Sequence, residues 1–108
     1  LDYLLERGLT LVCRNFNCRA GELDLVMLDR GALAVVEVRA REDRGFGTAA
    51  DSIGPRKQRR IIRAAHLLLL KNPALRHLPV RFDVVTLDRT AGRPRIQWIR
   101  GAFDARGG

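Results

Sequence analysis

Two acids, Asp24 and Glu37, stand inside runs that otherwise read as buried strand, residues 23–28 and 33–38. An ionised carboxylate out of water costs more than a small domain can spare unless it is paired, hydrogen-bonded or bound to a metal. Between the runs lies Asp29-Arg30-Gly31-Ala32, with a glycine available for positive φ, which predicts an antiparallel hairpin. If Arg30 and Gly31 form a two-residue loop, counting outward puts Asp24 opposite Glu37 and Glu22 opposite Arg39, all on one face. A four-residue loop keeps that register, whereas a three-residue loop sends Asp24 and Glu37 to opposite faces. Directly opposed side chains have Cβ atoms roughly 4.5–5.5 Å apart, and like charges at that spacing repel. A divalent cation between the two acids relieves both the burial and the repulsion. The blander alternative is that Glu37 pairs with Arg39 or Arg41 while Asp24 caps a neighbouring loop.

The rest of the chain supplies a mixed set of elements. Residues 2–7 read as the end of a helix capped by Gly8, and residues 9–16 as a first strand broken by Asn17-Cys18-Arg19-Ala20-Gly21. Residues 41–54, charged and glycine-bearing, read as an exposed loop of the kind that touches substrate. From Pro55 a long helix is predicted, with Ile61, Ile62, Ala65, Leu68 and Leu69 at helical spacing and Asn72-Pro73 as its stop. Residues 80–87 and 95–99 read as two last strands around a turn at 89–94. The expectation is one α/β domain spanning residues 1–108, a small mixed sheet flanked by helices in the order α-β-β-β-α-β-β. The absence of an initial Met suggests that part of the first helix precedes Leu1.

Composition narrows the partners. Lys and Arg number 20 against 12 acids, a formal charge of +8, which favours a polyanion, nucleic acid before an anionic membrane surface. The longest apolar stretch, residues 64–70, is too short to span a bilayer, and no signal peptide is visible, so a cytoplasmic protein is expected. Cys13 and Cys18 are too few for a zinc cage and read as free thiols. His66 and His77 read as helix and turn residues, and Trp98 as core; Phe46 in the glycine loop is the better aromatic for an unstacked nucleotide. Asp83 shares its strand face with Arg81 and reads as half of a structural ion pair.

The chemistry follows from residue type. Paired carboxylates without thiolate or imidazole suit a hard ion, Mg²⁺ or Mn²⁺, which takes one or two carboxylates and completes its shell with water and phosphate oxygens. The predicted helix opens with Arg56, Lys57, Arg59, Arg60 and Arg63 and no acid among them; the four arginines form a stripe at i, i+3, i+4, i+7. A solvated face is the ordinary reading of a charge run, but a run of one sign also fits a phosphate backbone.

Gly21-Glu22-Leu23-Asp24-Leu25-Val26 followed by Val35-Val36-Glu37-Val38-Arg39-Ala40-Arg41 resembles the PD-(D/E)xK nuclease signature. More narrowly, the chain resembles the YraN family of small bacterial proteins, predicted endonucleases similar to Holliday junction resolvases. Further matching segments are Tyr3-Leu4 with Gly8, Arg14-Asn15-Phe16, Phe46-Gly47, Pro55-Arg56-Lys57, Arg81-Phe82-Asp83-Val84-Val85 and Ala102-Phe103. The resemblance implies a restriction-endonuclease-like core in which Asp24 and Glu37 hold the metal and the residue two after Glu37 assists the attacking water. The family pattern has Lys there; this chain has Arg39, which stays protonated and so suits charge stabilisation rather than proton removal. Lys57 is the alternative for that role. The family also carries a Glu on the first helix in a turn that would lie before Leu1. The expected activity is Mg²⁺-dependent hydrolysis of phosphodiesters in DNA, with branched or recombination intermediates as the substrate class. The alternatives are a nucleic-acid-binding module without turnover and a basic protein-interaction or ribosome-associated domain. A homodimer is compatible with the sequence but not required by it.

Overall fold

A computed structural model of the chain describes residues 1–41, 53–88 and 95–104. Its elements are helix α1 (Asp2–Glu6), strands β1 (Thr10–Cys18), β2 (Gly21–Asp29) and β3 (Ala32–Arg41), helix α2 (Pro55–Lys71), and strands β4 (Val80–Asp88) and β5 (Arg95–Phe103). The order differs from the expected one by a 3-10 turn, Pro73–Leu75, which leads from α2 into β4. Strands β1 and β5 run further than their patterns suggest, to Cys18 and Phe103. The loop at 41–54, with Phe46, and the turn at 89–94 fall mostly or wholly outside the described residues.

The β2–β3 turn settles the parity question. Arg30 has φ 51° and Gly31 φ 85°. Two successive left-handed residues are the mark of the two-residue hairpin turn whose twist matches its strands. Asp29 accordingly pairs with Ala32, and the ladder continues through Leu28 and Leu33, Met27 and Ala34, Val26 and Val35, to Leu25 and Val36.

The five strands lie in sequence order, antiparallel except for β3 and β4, which are parallel. A parallel neighbour demands a crossover, and α2 supplies it. Gly54 caps that helix at its start, with Pro55 in the first turn where a missing N–H costs nothing. At its other end the Asn72 side chain donates to the Leu68 carbonyl at 2.9 Å.

Each face of the sheet has its own core. On the α2 side, Leu23, Val26, Leu33, Val35, Phe82 and Val84 meet Ile61, Ala64, Ala65 and Leu68. On the α1 side, Leu4 and Leu9 cover Leu25, Met27, Ala34, Val36 and Val85. Fully burying one such aliphatic side chain contributes about 1.5–3 kcal/mol, so the sheet's two sides anchor both helices. Among the described residues no helix is long and apolar enough to cross a membrane, and both cysteines are free thiols.

Besides the bulges between Leu11 and Cys13 in β1 and opposite Asp83 in β5, strict alternation fails at Asp24. Leu23 and Val26, three residues apart, both face the α2-side core, and in β1 Cys13 and Phe16 do the same. Asn15, level with Asp24 in the β1–β2 ladder, takes φ 53° and lets β1 change face there. Asp24 therefore sits where a strand turns over.

Candidate metal and nucleic-acid site

Glu37 continues the α2-facing row of Leu33 and Val35 on β3, and it is 1% exposed. Asp24, half-buried, lies one step beyond the last β2–β3 pair, Leu25 with Val36. Past that pair the two strands are joined by acids rather than by backbone alone. The Asp24 N–H donates to Glu37 Oε2 at 3.2 Å, and the Val38 N–H donates to Asp24 Oδ2 at 2.9 Å. Each carboxylate thus commits one oxygen to the opposite strand. The hairpin count brings these two residues together correctly, but the wider constellation needs correction. Glu22 is exposed and pairs with Asn17 of β1, so the expected face of four does not hold as a β2–β3 ladder. The physical reason is the face change at Asp24, which ends the alternation on which the count relies.

Burial pushes the Glu37 carboxyl up to about 7, against the hydrogen bond from the Asp24 N–H; the negative charge of Asp24 adds to the rise, and Lys57 and Arg39 oppose it. Lys57 Nζ stands 3.8 Å from Glu37 Oε1. Of the two cations considered for the site, the helix lysine is thus placed directly against the acid, and Arg39, partly exposed two residues along β3, acts on it through its field. The contact to Glu37 is made by Lys57, and the positive charge of Arg39 acts on the same carboxylate, as the blander reading expects of it.

Two hard oxygen donors side by side, one carrying an uncompensated burial cost, fit a divalent cation of the Mg²⁺ type. Among the described residues no group of three or more His, Cys, Asp and Glu could hold a metal. Among the described residues Asp24 and Glu37 are the acids that would hold it, leaving positions for water and phosphate oxygens.

Around this pair α2 presents its cations. Arg56, Arg59, Arg60 and Arg63 are all exposed, while Lys57, its side chain still 39% exposed, reaches Glu37. The helix passes close to the start of β2: a Cβ on Gly21 would lie 3.8 Å from Arg60 Cβ. The arginine stripe thus runs along the element that also delivers Lys57 to Glu37.

A second polar cluster lies on the α1 side, and only part of it is legible in the sequence. Asp83, completely buried, takes two bonds from Arg81, Nε to Oδ1 and Nη2 to Oδ2, both 2.8 Å. Trp98 Nε1 donates to Oδ2 and the Gly101 N–H to Oδ1, each at 3.0 Å. Arg81 also reaches Asp29 Oδ2 at 2.8 Å and is held protonated above its ordinary range, first by Asp83 and then by Asp29. The expected Arg81–Asp83 pair is present. Asp29 reads in the sequence only as a turn residue; the signal for its wider role is a third acid at the end of an apolar strand. Sequence reasoning misses Thr86 altogether: it is buried, on the same face as Glu37 and level with Arg39 in the β3–β4 ladder.

Residues 1–87 match the family model described as "Uncharacterised protein family UPF0102". The UPF0102 protein of Pseudomonas putida strain GB-1 is 52% identical over 106 residues, covering 96% of this chain and 85% of that protein. Its counterpart in Pseudomonas paraeruginosa strain PA7 is 48% identical over 105 residues, covering 95% and 84%. With the match running from α1 through the acid pair and α2 into β4, the chain belongs to the UPF0102 family.

Proposed function

We propose that the protein is a metal-dependent phosphodiester hydrolase acting on DNA, an endonuclease of the YraN type on a restriction-endonuclease-like core. The observation behind this reading is the crossed bonding of Asp24 and Glu37 with Lys57 against Glu37, on a helix whose exposed face is a row of arginines. In this reading Asp24 and Glu37 hold Mg²⁺ or Mn²⁺. The ion, when bound, would polarise a phosphoryl oxygen and acidify water. Lys57 neutralises charge beside the acids and, unlike an arginine, can exchange a proton with the attacking water. Arg39 stabilises the charge that builds on the phosphoryl oxygens. Arg56, Arg59, Arg60 and Arg63 seat the backbone without reading sequence. Branched or recombination intermediates are the preferred substrates, and the cytoplasm is the proposed location.

The test incubates branched, flapped and linear DNA with the protein and Mg²⁺ or Mn²⁺. Cleavage that disappears in Asp24→Ala and Lys57→Ala supports the proposal, and no cleavage above the Asp24→Ala background on any substrate refutes it. Arg39 motivates a second reading, a nucleic-acid-binding module on the same scaffold without turnover. Salt-dependent DNA binding together with an unchanged absence of cleavage in Arg39→Lys would favour that module.

A further inference from the structure

Between the first turn of α2 and the open end of the β4–β5 pair, where β4 starts and β5 finishes, lies a cavity of about 470 Å³ lined by Gln58, Arg81, Phe82, Gly101, Phe103 and Asp104 among others. We propose that it receives an unpaired nucleobase of the same nucleic-acid strand whose phosphate lies at Asp24 and Glu37. This inference rests on the nucleic-acid reading of that site.

The volume falls in the range of small-ligand pockets. Part of its wall is aromatic: Phe82 and Phe103 stack with ring centroids 5.1 Å apart and planes inclined by 16°. Phe82 is buried, so one face of Phe103 is covered by it, while Phe103 itself remains partly exposed in the cavity wall. A flat ring is what such a face accepts, and any base offers one. Phosphate fits poorly. The cation among the lining residues, Arg81, is committed to Asp83 and Asp29, and Asp104 brings negative charge to the rim. A polar edge is nevertheless present, since Gln58 lines the cavity with its amide nitrogen held by the Ile53 carbonyl at 2.9 Å.

Position links the cavity to the acids. Gln58 follows Lys57 on α2, and Phe82 lies two residues along β4 from Val84, which is level with Glu37. Two residues of strand span about 7 Å and neighbouring strands lie about 4.8 Å apart, so the β5 side of the cavity lies roughly 12 Å from Glu37, one to two nucleotides along a single strand. The opening itself is built in. Phe82 pairs with Phe103 and Val84 with Ile99, so Arg100, Gly101 and Ala102 bulge opposite Asp83. Gly101 takes φ 61° there, with its N–H pinned by the buried Asp83 carboxylate. The Asp83 cluster thus holds the mouth of the cavity in shape.

The experiment measures fluorescence anisotropy of an end-labelled single-stranded deoxyoligonucleotide, and of the same strand carrying abasic sites, with Ca²⁺ in place of Mg²⁺ to slow any cleavage. Stacking of one base on an aromatic side chain is worth about 5- to 150-fold in affinity. The wild-type protein is expected to bind the abasic strand at least about fivefold more weakly. Phe103→Leu, which keeps apolar packing on Phe82, should lose that preference. Equal wild-type affinity for the two strands overturns the pocket, and so does an undiminished preference in Phe103→Leu. Base-insensitive binding accompanied by metal-dependent cleavage removes the pocket and leaves the hydrolase. Base-sensitive binding without cleavage does the reverse, and no salt-dependent binding at all removes both.

Discussion

Glu37 is a carboxylate whose surroundings oppose its charge. Its folded pKa of about 7 lies above the ordinary 4.5, so between those values the folded chain keeps a proton that the unfolded chain releases. Stability from this group is therefore highest below pH 4.5, falls as pH rises, and reaches its full penalty above pH 7. With no metal present, Glu37→Gln should flatten that stretch of the stability profile and gain up to about 3 kcal/mol above pH 7. Urea denaturation at a series of pH values checks it, and a slope unchanged in the variant contradicts it. Asp83 is the opposite case, a buried acid with every neighbour arranged to receive it. Asp83→Ala leaves the Trp98 and Gly101 N–H groups and part of Arg81 without their acceptor, and should cost about 3–5 kcal/mol in the same assay. A loss below about 1 kcal/mol, the scale of a surface ion pair, would remove the structural role assigned to it.

The elements divide between those that local pattern dictates and those that it does not. The β2–β3 hairpin is legible because period-two alternation and a Gly in the turn leave few registers, and Asp24 and Glu37 meet one step past the last ladder pair, through bonds to their carboxylates. Its turn still carries strain at Arg30, a non-glycine residue at φ 51°. Arg30→Asn, which tolerates that conformation, should raise stability by up to about 1 kcal/mol; a fall in the denaturation midpoint would contradict the turn assignment. The face change at Asp24 is not legible, because it depends on Asn15 of the neighbouring strand taking positive φ, and no alternation within β2 announces it. Helix α2 can be read from its apolar spacing and its Pro55 start, and its arginine stripe is exposed as expected. Under the proposed function, Arg59→Glu with Arg63→Glu should weaken DNA binding on every sequence alike and reduce the salt slope by about one unit for each phosphate that the variant no longer neutralises. An unaltered slope would take the stripe out of the interface.

At the scale of the molecule, the fold gathers into one place what the sequence distributes over three elements. The parallel pairing of β3 with β4 follows from α2 crossing over the sheet, and the same crossing delivers Lys57 to Glu37 at 3.8 Å. Residue pattern alone offers Arg39 and Lys57 as alternatives, since the direction in which a helix start projects depends on packing. The β5 bulge is equally hidden: it arises because Asp83 on the neighbouring strand captures the Gly101 N–H. Chemistry with a local period is readable from the chain, and anything set by contact between distant strands is not. The proposed activity requires that Asp24 and Glu37 form a cation site. Isothermal titration of Mg²⁺ or Mn²⁺ above pH 7 into the wild-type protein and Glu37→Gln measures this directly. A saturable heat in the wild type that vanishes in the variant is the predicted result, and identical traces for the two proteins would contradict it.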